Sequence, residues 1–81
     1  MGKPITMMAH DYAMLYAQIG QRIKDERTSR GWSQGDLCLH ADVNQSRLSE
    51  IENGRRGMYL VTAIKICGAF DLPLDWLVNG G

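Results

Sequence analysis

Apolar positions in the first part of the chain, Met8, Tyr12, Leu15, Ile19 and Ile23, recur at spacings of four, three, four and four, which is one stripe of an amphipathic helix. Thr6 is placed to cap its N-terminus, and the pattern runs to about Arg30. Gly31 supplies the stop, because glycine tolerates the left-handed conformation in which helices end, and Arg27 and Arg30 complement the dipole there. Gly20 weakens the middle of this segment by about 1 kcal/mol relative to Ala, so the segment reads either as one helix or as two that meet near that point. Residues 1–5, holding Gly2, Lys3 and Pro4, show no periodicity and read as a flexible N-terminal arm or an added remnant.

Ser33 opens a second, short helix. Its hydroxyl accepts from a free amide of the first turn, and Asp36 three residues on makes a capping box with Asp in place of Glu. Leu37, Cys38 and Ala41 form the inner face. Asn44, another strong N-cap residue, starts a third helix only three residues after the second ends, and so tight a joint forces a large angle between them. Leu48 and Ile51 are its inward positions, Gly54 ends it, and Gln45, Ser46, Ser49, Glu50 and Asn53 are left outside. Beyond the basic turn Arg55-Arg56-Gly57, a fourth helix covers about Leu60 to Phe70, with Leu60, Ile64, Cys67 and Phe70 inward. Asp71 breaks that run. Pro73 suits the first turn of a fifth short helix carrying Leu74, Trp76, Leu77 and Val78, and residues 79–81 read as a C-terminal tail. The fold class is all-α, one domain of five helices over 6–78.

Composition narrows this further. A length of 81 residues suits one compact domain and leaves no room for a second core or a deep catalytic cleft. With 44% hydrophobic and 22% charged residues the chain can bury a core and stay soluble. Its apolar stretches are broken by charge every few residues, so neither a membrane span nor a signal-peptide core is found, and a cytoplasmic location is expected. Nine basic and nine acidic side chains cancel, which at first counts against a nucleic-acid partner. Position matters more than the total: Arg47, Arg55 and Arg56 lie close together, whereas Asp11, Asp25, Asp71 and Asp75 are distant in sequence, which allows a basic face on a neutral body.

Cys38 and Cys67 have no metal-ligand spacing and read as two reduced, buried thiols. His10 and His40 are isolated, and no nucleophile–base constellation or glycine-rich phosphate loop can be assembled. The expectation is no catalytic site, no metal, no cofactor and no small-molecule ligand.

Two short helices joined by a three-residue turn, the second polar outside and followed by arginines, are what a helix-turn-helix needs to enter the major groove. The segment from Ser33-Gln34-Gly35-Asp36-Leu37 through Val43-Asn44-Gln45-Ser46 to Leu48-Ser49-Glu50-Ile51-Glu52-Asn53-Gly54-Arg55-Arg56 closely resembles the Cro and phage-repressor, or Xre, helix-turn-helix family. The resemblance covers about Ile19 to Val78. Ile51-Glu52-Asn53-Gly54 is its most specific piece, and Leu74-Asp75-Trp76-Leu77-Val78-Asn79-Gly80 is similar to the ends of phage-repressor DNA-binding domains.

The resemblance implies a lambda-repressor-like fold with the motif at about 33–53, and a repressor-like regulator of phage or prophage type that binds a palindromic double-stranded DNA operator as a homodimer. It implies base contacts from Asn44, Gln45, Ser46 and Glu50. Such contacts are chemically reasonable, because Gln can bond N6 and N7 of adenine, Ser can donate or accept, and Glu can accept from cytosine N4. It implies phosphate contacts from Gln34, Arg47, Asn53, Arg55 and Arg56, and a structural salt bridge between Arg27 and Glu52.

Four positions depart from the family pattern. Cys38 replaces the usual Ala, Met58 a frequent Pro, and Leu39 puts an apolar side chain on a commonly polar face; Asp42 stands where the turn usually has Gly, and Asp can adopt the left-handed conformation at some cost. A dimer follows also from energetics, since a single module offers only about 600–1,000 Å² to DNA. Its interface is expected at helix five, at residues 79–81 or at the first turns of helix one. The alternative is a protein-interaction module on the same scaffold, an antitoxin or antirepressor partner, using Leu39, Trp76 and the Met8, Tyr12, Leu15 stripe.

Overall fold

Helix ends written into the sequence divide the chain. A computed structural model describes residues 9–80, with side chains from residue 12 onward; the expectations for the arm at 1–5, for Thr6 and Met8, and for Gly81 lie outside the described residues. Five helices run in order, α1 (Ala9–Ser29), α2 (Gln34–Ala41), α3 (Gln45–Glu52), α4 (Leu60–Phe70) and α5 (Leu74–Asn79), with no strand among the described residues. Asn79 is thus the last residue of α5 rather than the first of a tail.

At the start of α2 the Asp36 amide donates to Ser33 Oγ at 3.0 Å, and the Ser33 amide donates to Asp36 Oδ2 at 2.8 Å, a complete capping box. Those bonds favour the ionised carboxylate and pull its pKa below the ordinary value, so the box's contribution is present at neutral pH and is lost as pH falls through the carboxylate range. Asn44 Oδ1 accepts from the Arg47 amide at 3.1 Å and starts α3. α2 and α3 end in the same way. The Val43 amide reaches back to the Cys38 carbonyl and the Arg55 amide to that of Glu50, each around a left-handed residue, Asp42 at φ 57° and Gly54 at φ 71°. Asp42 does sit in the left-handed region, and Lys65 Nζ donates to its carbonyl at 3.2 Å.

The core gathers on the inner faces of all five helices. Ile23, Leu37, Leu48, Ile51, Ile66 and Phe70 are fully enclosed, with Ala41, Ala63, Cys67 and Leu77 completing the cluster. α1 lies along α3, α2 packs on α3 and α4, and α5 closes the bundle against α4 and α1. Arg22 Nη1 donates to the Leu77 carbonyl at 2.6 Å and ties α5 down. Cys38 and Cys67 are free thiols whose pKa burial pushes up, which keeps them neutral. Among the described residues no buried side-chain nitrogen or oxygen lacks a hydrogen-bond partner, and no helix is long and apolar enough to cross a membrane.

Two sequence expectations are corrected and an open one is decided. α4 turns Ala63, Ile66, Cys67 and Phe70 inward, while Leu60 and Ile64, expected inside, are 67% and 50% exposed. The helix is apolar on nearly every side, so periodicity alone could not choose between its two stripes. Tyr12 is exposed and Leu15 half-buried, so the outer part of the α1 stripe does not reach the core. α1 is one continuous helix: Gly20 is the point where α1 meets the end of α3. A Cβ there would fall on the Ile51 carbonyl oxygen and lie 2.8 Å from that of Glu52. The absent side chain is what lets the two backbones touch.

Candidate nucleic-acid interface

α3 is held from behind by charge. Arg27 on α1 donates from Nε to Glu52 Oε2 at 2.8 Å and from Nη2 to Glu52 Oε1 at 2.9 Å, a bidentate pair at the last turn of α3 with both side chains almost wholly enclosed. Arg27 Nη1 donates in turn to the Trp32 carbonyl at 2.7 Å, and Gln34 Nε2 donates to Glu52 Oε1 at 3.1 Å. Hydrogen bonding to Glu52 raises the Arg27 pKa above its ordinary value. α1, α2 and α3 are thereby joined at one buried carboxylate, and Gln34 sits at the edge of that network with its side chain half-buried.

The opposite side of α3 is open. Asn44, Gln45 and Ser46 are exposed, Ser49 and Glu50 half-buried, and Asn53 exposed at the C-terminal end. Gln34, Gln45, Ser46, Ser49 and Glu50 line one open recess of 570 Å³. Beside it Arg47, Glu50, Arg55 and Arg56 line a second recess of 470 Å³ together with Tyr16, Gly57, Met58 and Tyr59. The three arginines that the sequence put close together therefore share one concavity, and Glu50 belongs to both recesses. Arg56 Nε lies 3.2 Å from Glu50 Oε2, and the Arg47 guanidinium stands over the Tyr59 ring at 5.7 Å.

The loop carrying Arg55 and Arg56 rests on α1 at the glycines on either side. A Cβ on Gly54 would come within 2.8 Å of Ala17 Cα, and one on Gly57 within 2.7 Å of the Tyr16 ring. The basic turn is thus set at a fixed height beside α3. Tyr16 and Tyr59 are the residues that sequence reading missed. Tyr59 had a signal, an aromatic two residues beyond a basic turn; Tyr16 had none, since its place opposite Gly57 arises only in the folded chain.

An exposed polar helix face with arginines at one end offers donors and acceptors of the type that base edges use, and cations of the type that hold phosphates. Residues 20–81 match a family model described as a helix-turn-helix domain. Among solved structures the chain is similar to the restriction-modification controller protein C.AhdI from Aeromonas hydrophila, at 31% identity and a TM-score of 0.73, covering 76% of this chain and 94% of that one. It is similar to an HTH_3 family transcriptional regulator from Vibrio cholerae at 26% identity and a TM-score of 0.76; the match covers 82% of this chain and only 37% of that longer one. A hypothetical transcription factor, NHTF from Neisseria, aligns at a TM-score of 0.75 over 95% of this chain and 86% of that one, and at 22% identity it speaks for the fold alone. No curated protein matches the sequence.

Proposed function

The chain belongs to the helix-turn-helix domain family, to which its Cro-like and phage-repressor-like motif pointed, and from that premise we propose that it is a sequence-specific transcriptional regulator that binds a palindromic DNA operator as a homodimer. The observation that carries this reading is the two-sided character of α3, fastened behind by the Arg27–Glu52 pair and presenting Gln45, Ser46 and Glu50 outward beside three arginines. In the proposed complex α3 lies in the major groove. Asn44, Gln45, Ser46 and Glu50 face base edges, while Gln34, Arg47, Asn53, Arg55 and Arg56 hold phosphates and set the register. C.AhdI is a restriction-modification controller protein, which supports a regulatory role.

Among the interfaces the sequence leaves open, the apolar surface supports helix five together with α4. Leu60 and Ile64 on α4, and Leu74 and Val78 on α5, are i,i+4 pairs that stand exposed, and Leu60 and Val78 border one apolar cleft. A second copy covering that face supplies the two-fold pair that a palindromic operator requires.

Selection of bound duplexes from a random pool tests the reading, because it reports binding, half-site sequence and spacing together. The expected result is an inverted repeat with half-sites about one helical turn apart, bound less tightly as salt rises. Failure to retard any duplex at low salt, or sedimentation as a strict monomer with and without the selected operator, overturns the DNA-binding and dimer parts respectively.

A further inference from the structure

Glu50 is the one residue common to the polar recess of α3 and the basic recess beside it, and it reaches Arg56 rather than standing free. We propose that Arg56, positioned by Glu50, reads a guanine of the operator, so that Arg56 is a specificity-determining residue and Glu50 its positioning residue. The inference rests on the DNA-binding reading above and changes what two residues do within it: Glu50 does not itself read cytosine, and Arg56 is not only a phosphate contact.

Three observations lead there. A lone carboxylate brought up to a DNA backbone is repelled, and pairing with a guanidinium at 3.2 Å removes that obstacle. The closest approach of the pair is at Arg56 Nε, and the two terminal nitrogens of the guanidinium form a planar fork of the shape that guanine O6 and N7 accept. Lastly, the turn that carries Arg56 rests on α1 at both ends, Gly54 against the Ala17 backbone and Gly57 against the Tyr16 ring. A turn seated on the fold and a guanidinium with a carboxylate partner favour base reading, whereas a phosphate contact needs neither. With both side chains roughly two-fifths exposed, the ion pair adds little to stability, so its loss is read in base preference rather than in unfolding.

The test compares base preference in the selected operator for the wild-type chain and for Arg56→Lys, Glu50→Gln and the double variant, each checked for native helicity. If the inference holds, Arg56→Lys keeps its salt dependence yet loses about tenfold or more of the preference for guanine at one position of the half-site. Glu50→Gln then loses preference at that same position, and the double variant loses no more than Arg56→Lys alone. Two results overturn it. In the first, Arg56→Lys leaves every base preference intact and a further variant, Arg56→Ala, weakens all sequences alike and lowers the logarithmic salt slope by about one, which is phosphate contact only. In the second, Glu50→Gln changes preference at a position that Arg56→Lys leaves untouched, which makes Glu50 a reader. Both leave the wild-type operator selection standing, so they are distinct from failure of the DNA-binding reading, in which the wild-type chain selects nothing.

Discussion

The two sides of α3 are built to opposite rules. Behind it, between α1 and α3, backbone touches backbone at Gly20 and a buried arginine meets a buried carboxylate, so almost no other residue fits. In front, Gln45 and Ser46 are exposed, with nothing in the fold to dictate them. The difference is the one a reading element needs: a pose set by close internal contacts and a surface free to suit whatever it reads. It also separates stability from recognition, and substitutions on each side measure how complete that separation is.

The largest effect is expected from Arg27→Met. It leaves the Glu52 carboxyl group enclosed with only Gln34 to bond, which costs about 3–5 kcal/mol in urea unfolding. Adding Glu52→Leu removes the stranded carboxyl group and restores much of the loss. A cost below about 1 kcal/mol for the single variant would show that the pair does not hold α3 in place.

Gly20→Ala comes next. The new methyl meets carbonyl oxygens of Ile51 and Glu52 rather than a side chain that could swing aside, so α3 must move away from α1 at a cost of about 1–3 kcal/mol. Thermal melts measure the loss. The seam reading fails if the alanine variant melts at or above the wild-type temperature, as helix propensity alone would predict.

Gly20 also shows what a sequence can and cannot carry. The capping box of Ser33 and Asp36, the Asn44 cap and the left-handed Asp42 are local chemistry within a few residues, and they placed α2, α3 and the turn between them. Gly20 looked like a weak point because its reason for being glycine lies on α3, far along the chain. α4 failed differently. In Leu60–Phe70 nearly every position is apolar, so the face that turns inward is decided by α2 and α5, and the period selected Leu60 and Ile64 where the fold uses Ala63 and Ile66. The candidate site was legible as a set of residues along α3 and its basic turn. Its internal wiring, Glu50 to Arg56 and Arg47 to Tyr59, depends on a loop conformation that no spacing encodes.

Gly68 sharpens the contrast with Gly20. It too lies inside a helix, yet a Cβ there meets nothing within 4 Å. Gly68→Ala is expected to stabilise the fold by about 0.5–1 kcal/mol, through helix propensity and a less flexible unfolded chain. A destabilising result, with a melting temperature that depends on concentration, would extend the face proposed for a second copy from Leu60 and Ile64 to Gly68.

The smallest effect on folding is expected in front. Gln45→Ala and Ser46→Ala should each change unfolding free energy by no more than about 0.5 kcal/mol, because neither side chain is enclosed and neither makes a hydrogen bond within the described part of the fold. Near-zero is informative here. Alanine is the better helix former, so a surface selected for stability alone would prefer it at both positions. If each variant folds as well as the wild type while Gln45→Ala loses about 1–3 kcal/mol of binding to a selected operator, then the glutamine is kept for contact outside the molecule. If instead unfolding is weakened by more than about 1 kcal/mol, the front of α3 shares in holding the fold, and the division between its two sides is not the organising feature of this domain.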